Sequence, residues 1–153
     1  MMDWVKANPM TVFLLALAFW VFSRNFGLFE RAVPEDPASP IRHFTESTWQ
    51  AEVLGSKKPV LVDFWASWCP PCRAQGPIVS DLAKALSLTA VVGKVDVQRE
   101  GGLAARYGIS GIPALLVFSQ GRVVKQFTGL TSADALKQAL ADAAALPAPR
   151  KPR

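Results

Sequence analysis

Cys69 and Cys72 are the only cysteines among 153 residues, and Pro70 and Pro71 stand between them. A thiolate is a strong nucleophile, and a second thiol three positions on can displace whatever the first has captured. A C-x-x-C pair can therefore exchange disulfides, sit as an inert disulfide, or supply half of a zinc site. Structural zinc takes four ligands, and the single histidine, His43, lies far off in sequence. Two cysteines are also too few for the disulfide framework of a small scaffold. A redox pair is the leading reading; the inert disulfide and a C-x-x-C metal or adaptor module are the alternatives. A copper carrier would add methionines near its cysteines, but Met1, Met2 and Met10 all lie near the N-terminus.

Such a pair needs positioning. Val60, Leu61, Val62, Phe64 and Trp65 surround one acid, Asp63, in a run that reads as a strand buried on both faces of a parallel sheet. Ala66 and Ser67 leave that strand. Pro70 and Pro71 suit the first turn of a helix, where no N–H is required. The helix shows apolar Ala74, Ile78, Leu82 and Leu86 at a spacing of four, with Pro77 expected to kink it. Cys69 then stands at a helix N-terminus, where the backbone's partial positive charge favours a thiolate. Asp63 has apolar neighbours on both sides, so it reads as a buried carboxyl with a raised pKa rather than a solvated strand residue. Lys94 falls on the next strand and either pairs with Asp63 or snorkels to solvent. Trp65 reads as core, and Trp68 as an exposed platform beside the first cysteine.

The rest of the chain supplies a scaffold. Ile41 to Phe44 reads as a short strand, and Thr45 as the cap of a helix through Trp49, Val53 and Leu54, ended by Gly55 to Pro59. Ala90 to Val97 is the strand after the cysteine helix, and Glu100 to Tyr107 a short helix closed by Gly108. Ala114 to Phe118 and Val123 to Phe127 read as an antiparallel hairpin. Thr131 to Asp134 resembles a capping box, opening a last helix with Leu136, Ala139, Leu140 and Ala143 on one face. The order β-α-β-α-β-α-β-β-α predicts an α/β fold: parallel strands, then an antiparallel hairpin, with helices on both faces.

The formal charge is +5, but Arg150, Lys151 and Arg153 supply three of these charges in a basic tail over 147–153, expected to be disordered. Between Ile41 and Leu146 eleven basic residues face eight acidic ones, leaving about +3. Nucleic-acid recognition requires a dense basic stripe, and no such partner is expected.

Residues 1–31 stand apart from the globular part. Pro9 to Phe22 carries no charge, with Lys6 and Arg24 just outside it. An uncleaved single-pass anchor, preceding the domain as an apolar helix, is the first reading. A cleaved signal segment and an interfacial helix are the others; Ser23-Arg24-Asn25-Phe26 makes a poor cleavage site. Residues 32–40 form a linker with Pro34, Pro37 and Pro40, a semi-rigid spacer of about 25–30 Å. Residues 41–146 make the domain. The expected location is the cytoplasmic membrane with the domain outside, and the cytoplasmic face is the alternative. The flanking charges do not favour either orientation.

Several spaced features together carry a resemblance: Val62-Asp63-Phe64-Trp65-Ala66, Trp68-Cys69, Cys72, Pro77, Lys94-Val95-Asp96, Tyr107-Gly108-Ile109, Gly111-Ile112-Pro113, Gly121 and Gly129. In this order they resemble the thioredoxin family over about residues 41–145. The resemblance implies the thioredoxin fold and thiol–disulfide exchange, with no cofactor and no metal. Cys69 resembles the attacking cysteine and Cys72 the resolving one. Asp63 resembles the buried acid that assists proton transfer at the second cysteine, and Lys94 its charge partner. Pro113 matches a cis-proline facing the cysteines. Trp68, Gly111, Ile112, Pro113 and Gly129 match the surface that docks substrate. Implied partners are disulfide-containing proteins and an upstream dithiol electron donor, with a monomeric domain. Pro70-Pro71 replaces the usual Gly-Pro, and Ala114 the usual threonine.

The expected direction is reduction. Pro70 and Pro71 offer Cys69 no N–H, no histidine stands between the cysteines, and Arg73 should follow the helix surface away from the sulfur. These features leave the thiolate modestly stabilised, and a strong oxidant needs more. A disulfide donor or isomerase is the alternative.

Overall fold

The computed structural model describes residues 40–147, together with Leu17 and Trp20. Apart from Leu17 and Trp20 the proposed anchor lies outside the described residues, as do most of the linker and all of the basic tail but Pro147. Among the described residues no helix is long and apolar enough to cross a membrane.

Five strands form one sheet in the order β1-β3-β2-β4-β5: β1 (Arg42–His43), β2 (Val60–Trp65), β3 (Val91–Asp96), β4 (Ala114–Ser119) and β5 (Arg122–Thr128). β1 and β2 both run parallel to β3, while β4 is antiparallel to β2 and β5. β2 is central and buried on both faces, as its apolar run requires. β5 is an edge strand, largely exposed.

Helices α1 (Glu46–Trp49) and α3 (Gly101–Arg106) cover one face; α2 (Pro70–Ala85) and α4 (Ala133–Ala145) cover the other. On the first face Phe44, Trp49, Val62, Phe64, Leu103, Leu116 and Phe118 pack together. The Trp49 indole N–H donates to Tyr107 Oη at 3.0 Å, so this mostly apolar layer leaves that polar atom satisfied. Gly93 lies under this layer. A Cβ there would meet Phe44 Cε2 at 2.5 Å and the Arg42 carbonyl at 2.7 Å, so only glycine lets β1 and Phe44 close onto β3. On the second face Leu61, Val79, Leu82, Leu115, Val117, Leu136 and Leu140 make the core.

Three details differ from the sequence reading. The helix after Thr45 is α-helical only to Trp49 and continues as a π-helical turn, Gln50–Leu54. Thr45 does cap it, in a reciprocal exchange with Thr48. α4 is capped by Ser132, whose Oγ accepts from Ala135 N–H at 3.3 Å, and not by Thr131. Thr131 is engaged elsewhere, as described below. On α2 the buried residues are Cys72, Gln75, Val79, Leu82 and Ala83, whereas Ala74 is exposed. A strict spacing of four drifts about 40° per step around a helix of 3.6 residues per turn. The stripe from Ala74 to Leu86 therefore cannot stay on one face, and the polar Gln75 hid the true one.

Candidate active site

The site begins where β2 ends. Ala66 is buried, and its carbonyl accepts the Cys69 N–H at 3.2 Å, a tight turn that exposes the intervening Trp68. Cys69 is the N-cap of α2, with extended backbone and Pro70 and Pro71 behind it. The helix's first N–H groups have no partners within the helix. Two are absent here because the residues are prolines, and the next, from Cys72, donates to Cys69 Sγ at 3.2 Å. A sulfur thus does what a serine or aspartate oxygen does at other helix starts.

Cys69 and Cys72 form a disulfide, S–S 2.06 Å. They are 2 % and 3 % exposed, so burial does not distinguish them; position does. Cys69 precedes the helix and takes its N–H, while Cys72 lies within the first turn. Both pack with Ala66 against Trp65, Val97 and Ile112. The Ile112 carbonyl oxygen lies 3.8 Å from Cys69 Sγ, and the Ile112–Pro113 bond is cis. Arg73 does not run away from the loop: its Nη1 donates to the Ser67 carbonyl at 3.4 Å. Helical side chains lean toward the N-terminus, which turns Arg73 back over its own helix start.

Trp68, 62 % exposed, lines a groove of about 370 Å³ with Val97, Ala104, Ile109, Ser110, Gly111 and Ile112. Gly129 joins from β5's end, where its N–H donates to the Pro113 carbonyl at 2.7 Å and its φ is +87°. Of the expected docking residues, Trp68, Gly111 and Ile112 line this groove, Ile112 also packs against the cysteine pair, and Gly129 is bonded to Pro113.

Asp63 and Lys94 lie within the sheet, on the two strands at its centre. They are register partners on the parallel strands β2 and β3, which puts both side chains on the α2 face. They are 1 % and 6 % exposed. Lys94 Nζ sits 5.4 Å from the centre of the Trp65 ring, and that ring packs against the cysteines. Trp65, half-buried, thus neighbours both Lys94 and the cysteine cluster.

Two residues passed over in the sequence belong to this region. Gln75 is fully buried on α2, and both ends of its amide bond the backbone of Thr131. Leu130, next to Gly129, is 61 % exposed. A leucine between glycine and threonine in a polar turn was the available signal for the second; nothing in the sequence pattern marks the first.

The thioredoxin family model matches residues 40–142. Thioredoxin from Chlorobaculum thiosulfatiphilum is 44% identical over 85 residues, 56% of this chain and 79% of that protein. Thioredoxin C-2 from Corynebacterium nephridii is 42% identical over 92 residues, covering 60% and 85% of the two chains. Thioredoxin from Alicyclobacillus acidocaldarius is 40% identical over 98 residues, covering 64% and 92%. The matched region holds the whole dithiol site and the sheet that carries it. The chain is a thiol–disulfide oxidoreductase with its dithiol at Cys69 and Cys72, and it belongs to the thioredoxin family.

Proposed function

We propose that the domain reduces disulfides of protein substrates, with Cys69 as the attacking sulfur. The observation that carries this reading is the Cys72 N–H aimed at Cys69 Sγ, at a helix N-terminus and beside the Ile112 carbonyl. Starting from the dithiol, the Cys69 thiolate attacks one substrate sulfur, the substrate S–S bond breaks, and the other sulfur leaves as a thiolate. Cys72 then loses its proton and attacks Cys69 Sγ. The mixed disulfide breaks, the second substrate sulfur leaves and takes a proton, and the Cys69–Cys72 disulfide remains. Two electrons pass to the substrate, and an upstream dithiol donor restores the pair.

Asp63 takes the role of proton acceptor toward Cys72, with Lys94 as its charge partner; their register pairing and shared face support this. Trp68, Gly111, Ile112, Pro113 and Gly129 dock the polypeptide. The low-potential direction is supported by the prolines: Cys72 gives the sulfur one N–H, and Pro70 and Pro71 give none. Insulin precipitation on reduction tests the activity. The full chain with a dithiol donor should precipitate insulin, and Cys69→Ser should not; equal rates with both would overturn the assignment.

The uncharged run from Pro9 to Phe22 and the proline-rich linker support a membrane tether. The side proposed for the domain is outside the cytoplasm, where a chain with no cysteines beyond its redox pair fits an envelope redox protein; the flanking charges do not contribute to this choice. The domain should sediment with membranes and be digested by protease added to cells with a permeabilised outer layer. Protection would put it on the cytoplasmic face.

A further inference from the structure

Gln75 is fully buried on α2, one turn beyond Cys72. Burying a neutral amide is unfavourable unless both its ends are bonded. Here both ends go to one residue. Gln75 Oε1 accepts from the Thr131 N–H at 2.8 Å, and Nε2 donates to the Thr131 carbonyl at 3.1 Å. Thr131 Oγ1 donates in turn to the Gly129 carbonyl at 3.1 Å, and the Gly129 N–H donates to the Pro113 carbonyl at 2.7 Å. A continuous chain of hydrogen bonds thus runs from the cysteine-bearing helix, through residues 129–131, to the proline after Ile112.

The chain of bonds constrains more than burial would. An apolar residue at 75 could cover the loop, but it would fix neither the distance nor the orientation of the Thr131 peptide groups. Bonding an N–H and a carbonyl of the same residue fixes both. Leu130 stands between two such anchored residues with its side chain in solvent. Ordering an exposed leucine has no folding benefit of its own, since its apolar surface stays wet. It does lower the entropy cost of binding something apolar at that point.

We propose that Gln75 is a positioning residue for protein substrates. It sets the loop carrying Gly129 and Leu130 against the Ile112–Pro113 segment, so that a polypeptide lying across Cys69 meets both at once. The inference rests on the docking role proposed above for the surface beside Cys69. Gln75 acts on docking and not on sulfur chemistry, because its hydrogen bonds go to Thr131 and to neither sulfur.

The test uses the reduced full chain and two disulfides, insulin and the small hydroxyethyl disulfide. Gln75→Met should raise KM for insulin about tenfold, the equivalent of one hydrogen bond, and change the rate with hydroxyethyl disulfide less than about twofold. Gln75→Glu keeps an acceptor for the Thr131 N–H and should fall between wild type and Gln75→Met. Leu130→Ala should raise the insulin KM on its own, and combined with either Gln75 variant it should add less than the separate effects. Slowing of both disulfides by the same factor overturns the proposal, and so does an unchanged insulin KM or full additivity with Leu130→Ala. If Gln75→Met does not fold, Gln75→Glu with Leu130→Ala reads the same coupling. Failure of the docking role itself is separate: then Trp68→Ala also leaves the insulin KM unchanged.

Discussion

Cys69 Sγ lies 3.8 Å from the backbone carbonyl of Ile112, a residue 43 positions away in the chain. That carbonyl comes from the loop entering β4, and the sulfur from the loop leaving β2; the two strands are antiparallel neighbours. The end of β2 and the start of β4 therefore meet at one end of the sheet's central strands, and the reactive sulfur sits just beyond where they meet. The docking proposed above needs this closeness: a polypeptide paired with the Ile112 backbone would have its disulfide within reach of Cys69.

The proposed order of attack is tested by separating the two cysteines. With Cys72→Ser the first step proceeds and the second cannot, so substrate stays bound to Cys69 as a mixed disulfide. Non-reducing gels should show the adduct with Cys72→Ser and none with Cys69→Ser. The reverse pattern would make Cys72 the attacking sulfur.

Asp63 is buried on β2, and the proton-acceptor role proposed for it belongs to the second step. Asp63→Asn keeps the shape and removes the proposed acceptor. Release from the mixed disulfide should slow by about a hundredfold or more, the usual weight of one positioned acid or base, while the attack step changes far less. Rapid-quench trapping separates the two steps. An equal effect on both would assign Asp63 a structural role alone.

Trp68 is a large ring kept in solvent at the mouth of the groove, and exposed aromatics of this kind anchor interfaces. Trp68→Ala should raise KM for insulin about tenfold with little change in stability. A KM that does not move would remove Trp68 from the docking surface.

Gly93 links the fold to this chemistry, because its strand carries Lys94. Gly93→Ala places a Cβ against Phe44 and the Arg42 carbonyl, and overpacking of this kind costs about 1–3 kcal/mol. The urea midpoint should fall accordingly. An unchanged midpoint would mean that β1 moves aside freely.

Much of this was legible because single residues carry strong constraints. The apolar run from Val60 to Trp65 read as a central strand, and the two prolines after Cys69 as the first turn of a helix. The hairpin was readable from Gly121 between two apolar runs, but β5 is exposed along almost its whole length rather than wet on one face. The α2 face was not, because a buried glutamine breaks the apolar pattern and its partners lie 56 residues away in sequence. The α4 cap shifted by one residue for the same reason: Thr131 is held by Gln75, so Ser132 takes the helix end. Long-range backbone bonding of this kind leaves no periodicity to read. Asp63 and Lys94 were legible as an acid and a base on adjacent strands, and only the register shows that they stand side by side.

The direction of electron flow is the central claim, and an equilibrium decides it. The full chain is incubated with mixtures of reduced and oxidised glutathione beside an ordinary thioredoxin, and the Cys69–Cys72 pair is scored by alkylation. With one backbone N–H on its sulfur and two prolines that offer none, the pair should remain oxidised wherever the reference thioredoxin does. A pair found mostly reduced in a mixture that leaves the reference oxidised would have a high potential, and the protein would then be a disulfide donor rather than a reductase.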